Sequence, residues 1–228
     1  MTILKKYFNK RKKAINLLLK KPHHSFTPDT FHKLRVEIKK LVALCDIINA
    51  CSKDFKKSKT LEPIKLIFDQ AGKVRELYIE EKIIKKYFIP PLLKLYRQSL
   101  KEVRLKEQAD FFSTIDKKIM EELKTMNREI VSYIDQLNKK EVYQYMKQER
   151  QEIKKHLGQD SIQVKEAHDL RKLLKKFNYN RESLKLENKF KPLPKENILP
   201  DLLGEWHDEE VTIRHLKKAM TNDKIDEK

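Results

Sequence analysis

Two segments of this chain carry the same series of basic side chains at the same spacing. Each series begins with a histidine and continues with an arginine three residues later and lysines seven and eight residues later. The first copy, within residues 31–48, is His32, Arg35, Lys39 and Lys40, and the second, within residues 167–180, is His168, Arg171, Lys175 and Lys176. Guanidinium groups match two phosphoryl oxygens at once and ammonium groups add mobile point charges, so such a series could bind a polyanion.

Helical geometry places most of each series on one face. A residue advances by about 100° around an α-helix, so the histidine, the arginine and the first lysine form one narrow stripe. The opposite face is apolar in both copies, with Leu34, Ile38 and Leu41 in the first and Leu170, Leu174 and Phe177 in the second. We therefore expect two helices that each bury one face and present a cationic one. Lys40 and Lys176 lie about 80° from the histidines, which leaves open whether they bind a ligand or are only solvated.

A second pair of matching segments follows the two copies. Gly72 and Gly204 come 40 and 36 residues after His32 and His168, and the chain has only three glycines. Each glycine is followed three residues later by a basic or imidazole side chain and then by a carboxylate, giving Arg75 with Glu76 and His207 with Asp208. Two ordered matches at similar spacing indicate an internal duplication.

Together these residues resemble the CHAD family, the conserved-histidine α-helical domain. Each half of that domain has an HxxR helix with trailing basic residues and then a segment built around Leu-Gly, and the resemblance covers roughly residues 5–220. It implies an all-α fold of two four-helix bundles related by a pseudo-twofold, with a basic central groove that binds inorganic polyphosphate. We expect one domain over residues 1–220, with halves of about 1–105 and 106–220, and a C-terminal tail over 221–228.

Some positions sharpen or depart from this resemblance. Tyr179, at +11 from His168, matches an aromatic residue that the family often has there. At +10 from each histidine the family tends to place another arginine, but Val42 and Asn178 stand here. Both changes remove a bidentate donor, which bears on the affinity for an anion more than on the fold.

The composition agrees with a helical, anion-binding protein. In 228 residues, 39% are hydrophobic and 38% charged, so every helix must have two distinct faces. The formal net charge is +18, and most of the excess lies in residues 1–100. A field of this size favours an anionic partner, because it otherwise destabilises a compact fold by self-repulsion.

The spacing of apolar residues and the positions of helix-breaking residues predict where the helices begin and end. We expect a basic helix over residues 3–20, a break from Pro22 to Pro28, and a motif helix capped by Thr27 or Asp29 that ends near residue 50. Further helices are expected over residues 60–72, from residue 73 to Pro90-Pro91, and over 92–156. Joints in the last of these are expected at Asp110 and residues 138–141. The second motif helix is expected to end near residue 188 and the last helix near residue 220, with Pro192, Pro194 and Pro200 in the link between them.

The first helix has three open interpretations: a solvated face, a membrane-surface helix, or a wall of the groove with Arg11 as the contact. No run of about 18 apolar residues and no secretory segment is present, so we expect a cytoplasmic protein without a membrane span. Cys45 and Cys51 are expected to stay reduced.

The leading hypothesis is therefore non-enzymatic binding of inorganic polyphosphate, with association to polyphosphate granules as an extension. The predicted contacts are the eight residues of the two series together with Arg11, Arg75, Tyr179 and His207. The alternative is a basic helical protein that binds nucleic acid, and a third option is a scaffold without preference among polyanions. No enzyme is expected, because His207 and Asp208 diverge by about 100° on a helix and no nucleophile accompanies them. No cofactor or metal site is expected, because few further ligands are suitably spaced.

Overall fold

The chain folds into α-helices throughout the part that the structure describes. In a computed structural model, this part comprises residues 2–88, 93–159, 163–186, 189–191 and 198–221. These residues contain no β-strand, so the all-α prediction is confirmed. They form the helices α1 (Thr2–Leu19), α2 (Pro28–Cys51), α3 (Lys57–Thr60), α4 (Glu62–Tyr87), α5 (Lys94–Thr114), α6 (Lys117–Gln136), α7 (Lys139–Leu157), α8 (Val164–Leu184) and α9 (Leu199–Thr221).

Several boundaries follow from local chemistry. Thr27 is the N-cap of α2, and its hydroxyl oxygen accepts a hydrogen bond from the Thr30 backbone N–H at 3.3 Å. Asp116 caps α6 and Asn138 caps α7 in the same manner. These side chains satisfy donors that a helix N-terminus leaves unpaired. The predicted cap at Thr27 and the joint near residue 138 are thus confirmed.

Two predicted joints are wrong. Gly72 does not end a helix, because α4 runs without interruption from Glu62 to Tyr87. Asp110 lies inside α5, which continues to Thr114. The second motif helix also ends earlier than predicted, at Leu184, where Lys185 adopts a left-handed conformation. The predicted breaks at Pro90-Pro91, Pro192 and Pro194, together with residues 222–228 of the tail, lie outside the described residues.

Helix α2 is the centre of the packing. It contacts α1, α4, α7 and α8, and its apolar face is completely buried at Phe31, Leu34, Ile38 and Leu44. The same continuous hydrophobic core includes Leu170, Leu174 and Phe177 of α8. The core therefore joins the two halves of the chain. Their division into two four-helix bundles related by a pseudo-twofold stays a prediction.

A smaller cluster fixes α9 against α4 and α5. Ile84, Tyr96, Leu100 and Ala219 form its apolar part. Beside it the buried carboxylate of Glu80 accepts a hydrogen bond from the hydroxyl of Tyr96 and lies 2.8 Å from Nδ1 of His215. These contacts place α9, which carries the Gly204 segment, alongside α4, which carries the Gly72 segment. Helices α2 and α8 are in direct contact as well, so all four repeated segments lie together.

Candidate functional site

In the first half, Arg35 crosses from α2 to α4. Its Nη1 donates a hydrogen bond of 2.5 Å to the backbone carbonyl of Phe68, and its Cζ lies 3.9 Å from the centre of the Phe68 ring. The guanidinium then passes over Gly72, where any β-carbon would collide with Nη1. Burial lowers the pKa of Arg35 to about 10, so the group stays charged at neutral pH.

The second half repeats this arrangement. Arg171 of α8 lies over Gly204 of α9, where a β-carbon would be 3.1 Å from Nη2 and 3.2 Å from Nε. Each motif arginine therefore crosses the following helix at the glycine of its own half. The glycines serve close helix–side-chain approach rather than a turn, which explains why the joint predicted at Gly72 is absent.

The two histidines also make corresponding contacts. Nδ1 of His32 accepts a hydrogen bond of 3.3 Å from Nε of Arg75, three residues after Gly72. The His168 ring lies 4.5 Å, centre to centre, from the ring of His207, three residues after Gly204. Burial, followed by neighbouring positive charge, lowers the pKa of both His32 and His168. Both rings are thus held next to the basic residue of the partner segment.

Cations from both halves converge on Lys39. Burial lowers its pKa to about 7, and the surrounding positive charges act in the same direction. Those charges belong to Arg35 and Arg75 of the first half and to Arg171 and Lys175 of the second. We call these five residues, Arg35, Lys39, Arg75, Arg171 and Lys175, the cationic cluster.

The cluster borders a concave surface between the halves. A cavity of about 530 Å³ is lined by Lys39 and Val42 of α2 and by Arg171, Lys175 and Tyr179 of α8. Arg75 keeps about a quarter of its side-chain surface exposed and lies 3.9 Å from Asp208. The structure therefore places ten of the predicted contacts around one region: Arg35, Lys39, Arg75, Arg171, Lys175, Lys176, Tyr179 and the histidines 32, 168 and 207.

Three of the predicted contacts, Lys40, Lys176 and Arg11, are already engaged with carboxylates. Lys40 lies 3.3 Å from Glu182, Lys176 lies 2.7 Å from Glu149, and Arg11 lies 3.1 Å from Glu37. Arg11 is only 5% exposed, and its Cζ lies 4.9 Å from the centre of the Tyr7 ring. Lys175 of the cluster is paired too, at 3.3 Å from Asp201. Direct binding by Lys40, Lys176 and Arg11 stays a prediction.

Sequence reasoning missed Phe68 and the partner carboxylates. Phe68 holds Arg35 through both its ring and its carbonyl, and its position one turn before Gly72 was the only available signal. Glu182 of α8 pairs with Lys40 of the first series, and Glu149 of α7 pairs with Lys176 of the second. Asn178, at a position that the resemblance singled out, has a buried side-chain oxygen without a hydrogen-bond partner.

The described part of the chain contains neither a candidate metal cluster nor a candidate membrane span. No group of three or more His, Cys, Asp or Glu side chains in this part could hold a metal ion. None of its helices combines the length and the apolar character that crossing a bilayer requires.

The fold is similar to the crystal structure of the CHAD domain from the plant Ricinus communis, with a TM-score of 0.74 and 14% sequence identity. The similarity covers 97% of this chain and 78% of that chain, and at this identity it shows the fold alone. No curated protein matches the chain significantly. The sequence model of the CHAD domain matches residues 5–217, and this chain therefore belongs to the CHAD domain family.

Proposed function

We propose that this protein binds inorganic polyphosphate without hydrolysing it, through the cationic cluster between the two halves. The observation that carries the proposal is the convergence of four cations from three helices, α2, α4 and α8, around Lys39. Polyphosphate has a regular row of negative charges and no base edges. A row of fixed and mobile cationic donors is what such a ligand requires.

Without a ligand, the positive charges of the cluster are not balanced by nearby negative charge, and a bound anion would balance them. Burial of Lys39, together with the like charges around it, holds its pKa far below that of a free lysine. A bound phosphate chain would supply the missing negative charge and stabilise the protonated form of Lys39. Arg35 and Arg171 are each braced by a glycine contact, so little conformational entropy would be lost when they bind a ligand.

The paired lysines fit the same proposal as a second set of contacts. Lys40, Lys175 and Lys176 each have a carboxylate within 3.3 Å. A polyphosphate chain would have to compete with these carboxylates, so we assign the main contacts to Lys39, Arg75 and Arg171. The cytoplasm as the site of action, and association with polyphosphate granules, are parts of this proposal that fluorescence co-localisation in cells would test.

A competition assay separates polyphosphate from nucleic acid. Labelled long-chain polyphosphate is bound to the protein, and unlabelled polyphosphate, duplex DNA and single-stranded DNA are added at equal concentrations of charge. We expect unlabelled polyphosphate to displace the label at least tenfold more effectively than either DNA, about 1.4 kcal/mol of preference. Equal or better displacement by DNA would overturn the proposal in favour of a nucleic-acid-binding protein.

The same sample tests the absence of catalysis. After prolonged incubation with the protein, the polyphosphate is resolved by gel electrophoresis, with an added polyphosphatase as a positive control. We expect the chain-length distribution to stay unchanged. Progressive shortening, with release of inorganic phosphate, would show that the protein is an enzyme.

A further inference from the structure

The cavity beside the cationic cluster has one wall that polyphosphate cannot use. Its volume of about 530 Å³ falls within the range of about 300–1,000 Å³ that is typical of small-molecule sites. One wall is aliphatic and aromatic, formed by Ile38, Val42, Ala43, Leu61, Ile64 and Phe68. A chain of phosphates has no apolar surface to place against such a wall.

Another part of the cavity lining is cationic and incompletely satisfied. Lys39 of α2 and Arg171 and Lys175 of α8 line it. Among the described residues no carboxylate lies within 4.0 Å of the Arg171 guanidinium, and its buried Nε has no hydrogen-bond partner. The cavity therefore brings an unpaired cation next to an apolar surface.

The cavity is also lined by two carboxylates, which a phosphate chain cannot use as binding groups. Asp46, paired with Lys57 at 2.5 Å, and Asp69, paired with Lys65 at 2.7 Å, both line the cavity. A carboxylate repels phosphate oxygens, but it can accept hydrogen bonds from the hydroxyl and amino groups of a nucleoside. The ligand that uses all three features combines several negative charges, a planar apolar group and hydrogen-bond donors.

We propose that this cavity binds a nucleoside polyphosphate. Its base and sugar occupy the side formed by Val42, Ile64 and Phe68, and its phosphates contact Lys39 and Arg171. The rings of Phe68 and Tyr179 both line the cavity and offer aromatic surface to the base. The inference rests on the proposed function, because the same cations hold the phosphates in both cases.

Comparison of ATP with inorganic tripolyphosphate tests the inference. Both ligands have three phosphates, and tripolyphosphate carries at least as much negative charge, so electrostatics alone favours tripolyphosphate. Calorimetric titrations of each ligand, without divalent cations, give the two affinities. We expect ATP to bind about tenfold more tightly, because one stacked base contributes roughly that factor or more.

Filling the apolar side of the cavity should abolish the higher affinity for ATP over tripolyphosphate without abolishing phosphate binding. Val42→Phe occupies the apolar side from α2, and Ser58→Trp does so from an exposed position that needs no repacking of the core. Ser99→Trp on α5, also exposed and outside the cavity lining, is the matched control. We expect the first two variants to bind ATP and tripolyphosphate equally, Ser58→Trp to keep long-chain polyphosphate affinity within about twofold of wild type, and the control to keep the preference for ATP.

The outcomes distinguish this inference from the proposed function. If polyphosphate binds but ATP does not exceed tripolyphosphate, the nucleoside assignment is wrong and the proposed function stands. If the ATP preference survives in folded Val42→Phe and Ser58→Trp proteins, the cavity is not the nucleoside site. If neither long-chain polyphosphate nor ATP binds, both proposals are wrong.

Discussion

Gly72 leaves only enough room for the guanidinium group of Arg35 to cross helix α4, because a β-carbon at position 72 would lie 3.0 Å from Cζ of Arg35. Arg171 crosses α9 at Gly204 in the corresponding way, with 3.1 Å between Nη2 and the position of a β-carbon. The repeated glycine thus has a steric role that its neighbours in the sequence do not indicate. In each half, the contact joins the HxxR helix to the helix that carries the glycine.

Gly72→Ala tests this steric role. In an ordinary helix interior, alanine is more stable than glycine by about 0.5–1 kcal/mol. Here we expect a loss of about 1–2 kcal/mol in the free energy of unfolding, because the methyl group overpacks against Arg35, which is pinned by Phe68. Urea denaturation followed by circular dichroism measures the change.

The control removes the Arg35 side chain, which the new methyl group would otherwise contact. In an Arg35→Ala background the same Gly72→Ala substitution should stabilise the protein. The double-mutant cycle should therefore give a non-zero coupling energy, where simple additivity would give zero. Stabilisation by Gly72→Ala in both backgrounds would show that Arg35 does not occupy this position in solution.

Lys39 should take up a proton when polyphosphate binds. Its pKa is about 7 in the free protein because of burial and neighbouring cations, and a polyanion favours the charged form. At pH 8 the unliganded side chain is mostly neutral, so binding draws a proton from the buffer. Affinity should therefore be highest below pH 7 and weaken as the pH rises above it.

Calorimetry in two buffers of different ionisation enthalpy measures this proton uptake directly. At pH 8 we expect close to one proton per bound site in the wild type, and much less in Lys39→Met. Lys33→Met is the matched control, because Lys33 is an exposed lysine of the same helix, paired with Asp29 at 2.6 Å. Identical proton uptake in all three proteins would mean that Lys39 is not the titrating group.

The same lowered pKa affects the stability of the free protein. Between about pH 7 and the ordinary lysine value near 10.5, the unfolded chain binds a proton at residue 39 that the folded chain does not. The contribution of Lys39 to stability therefore rises with pH across this window. We expect Lys39→Met to raise the melting temperature, with the largest increase at pH 6 and a smaller one at pH 9. A gain that does not vary with pH would contradict this.

Glu182→Gln should strengthen polyphosphate binding. Glu182 holds Lys40 at 3.3 Å and is about half exposed. Neutralising it frees a lysine next to Tyr179 and removes a charge that repels the ligand. Because an exposed pair contributes up to about 1 kcal/mol, we expect affinity to increase by about two- to fivefold at low salt, as measured by fluorescence titration.

A charge-matched substitution distinguishes this local effect from net charge. Glu122→Gln removes a carboxylate of α6 that lies 3.9 Å from Lys118, in a helix outside the cavity lining. It should change the affinity by much less than Glu182→Gln. An equal gain from both substitutions would indicate that only the overall field matters.

Local signals account for the parts of the fold that were predicted. The all-α class, the Thr27 cap and the joint near residue 138 depend on periodicity and on short-range capping, which the sequence contains directly. Gly72 misled the boundary prediction, because a glycine inside a helix marks either an end or a close approach, and the sequence does not distinguish them.

The candidate site could be predicted only where its residues recur in both copies of the basic series. Arg35, Lys39 and Arg171 were identified because the duplication exposed them. The pairing of Lys40 with Glu182 joins residues 142 positions apart, and the burial of Arg11 depends on how α1 lies against α2. Such partners are set by tertiary packing, which no local pattern encodes.

The salt dependence of polyphosphate affinity tests the central claim, that one cluster contributed by both halves binds the ligand. The logarithm of the affinity should fall linearly with the logarithm of salt concentration, with a slope set by the number of cations that contact phosphates. We expect Lys39→Gln and Arg171→Gln each to reduce this slope by about one, the double variant by about two, and Lys33→Gln to leave it unchanged. Equal slopes for all of these proteins, or the same loss in Lys33→Gln, would contradict the account.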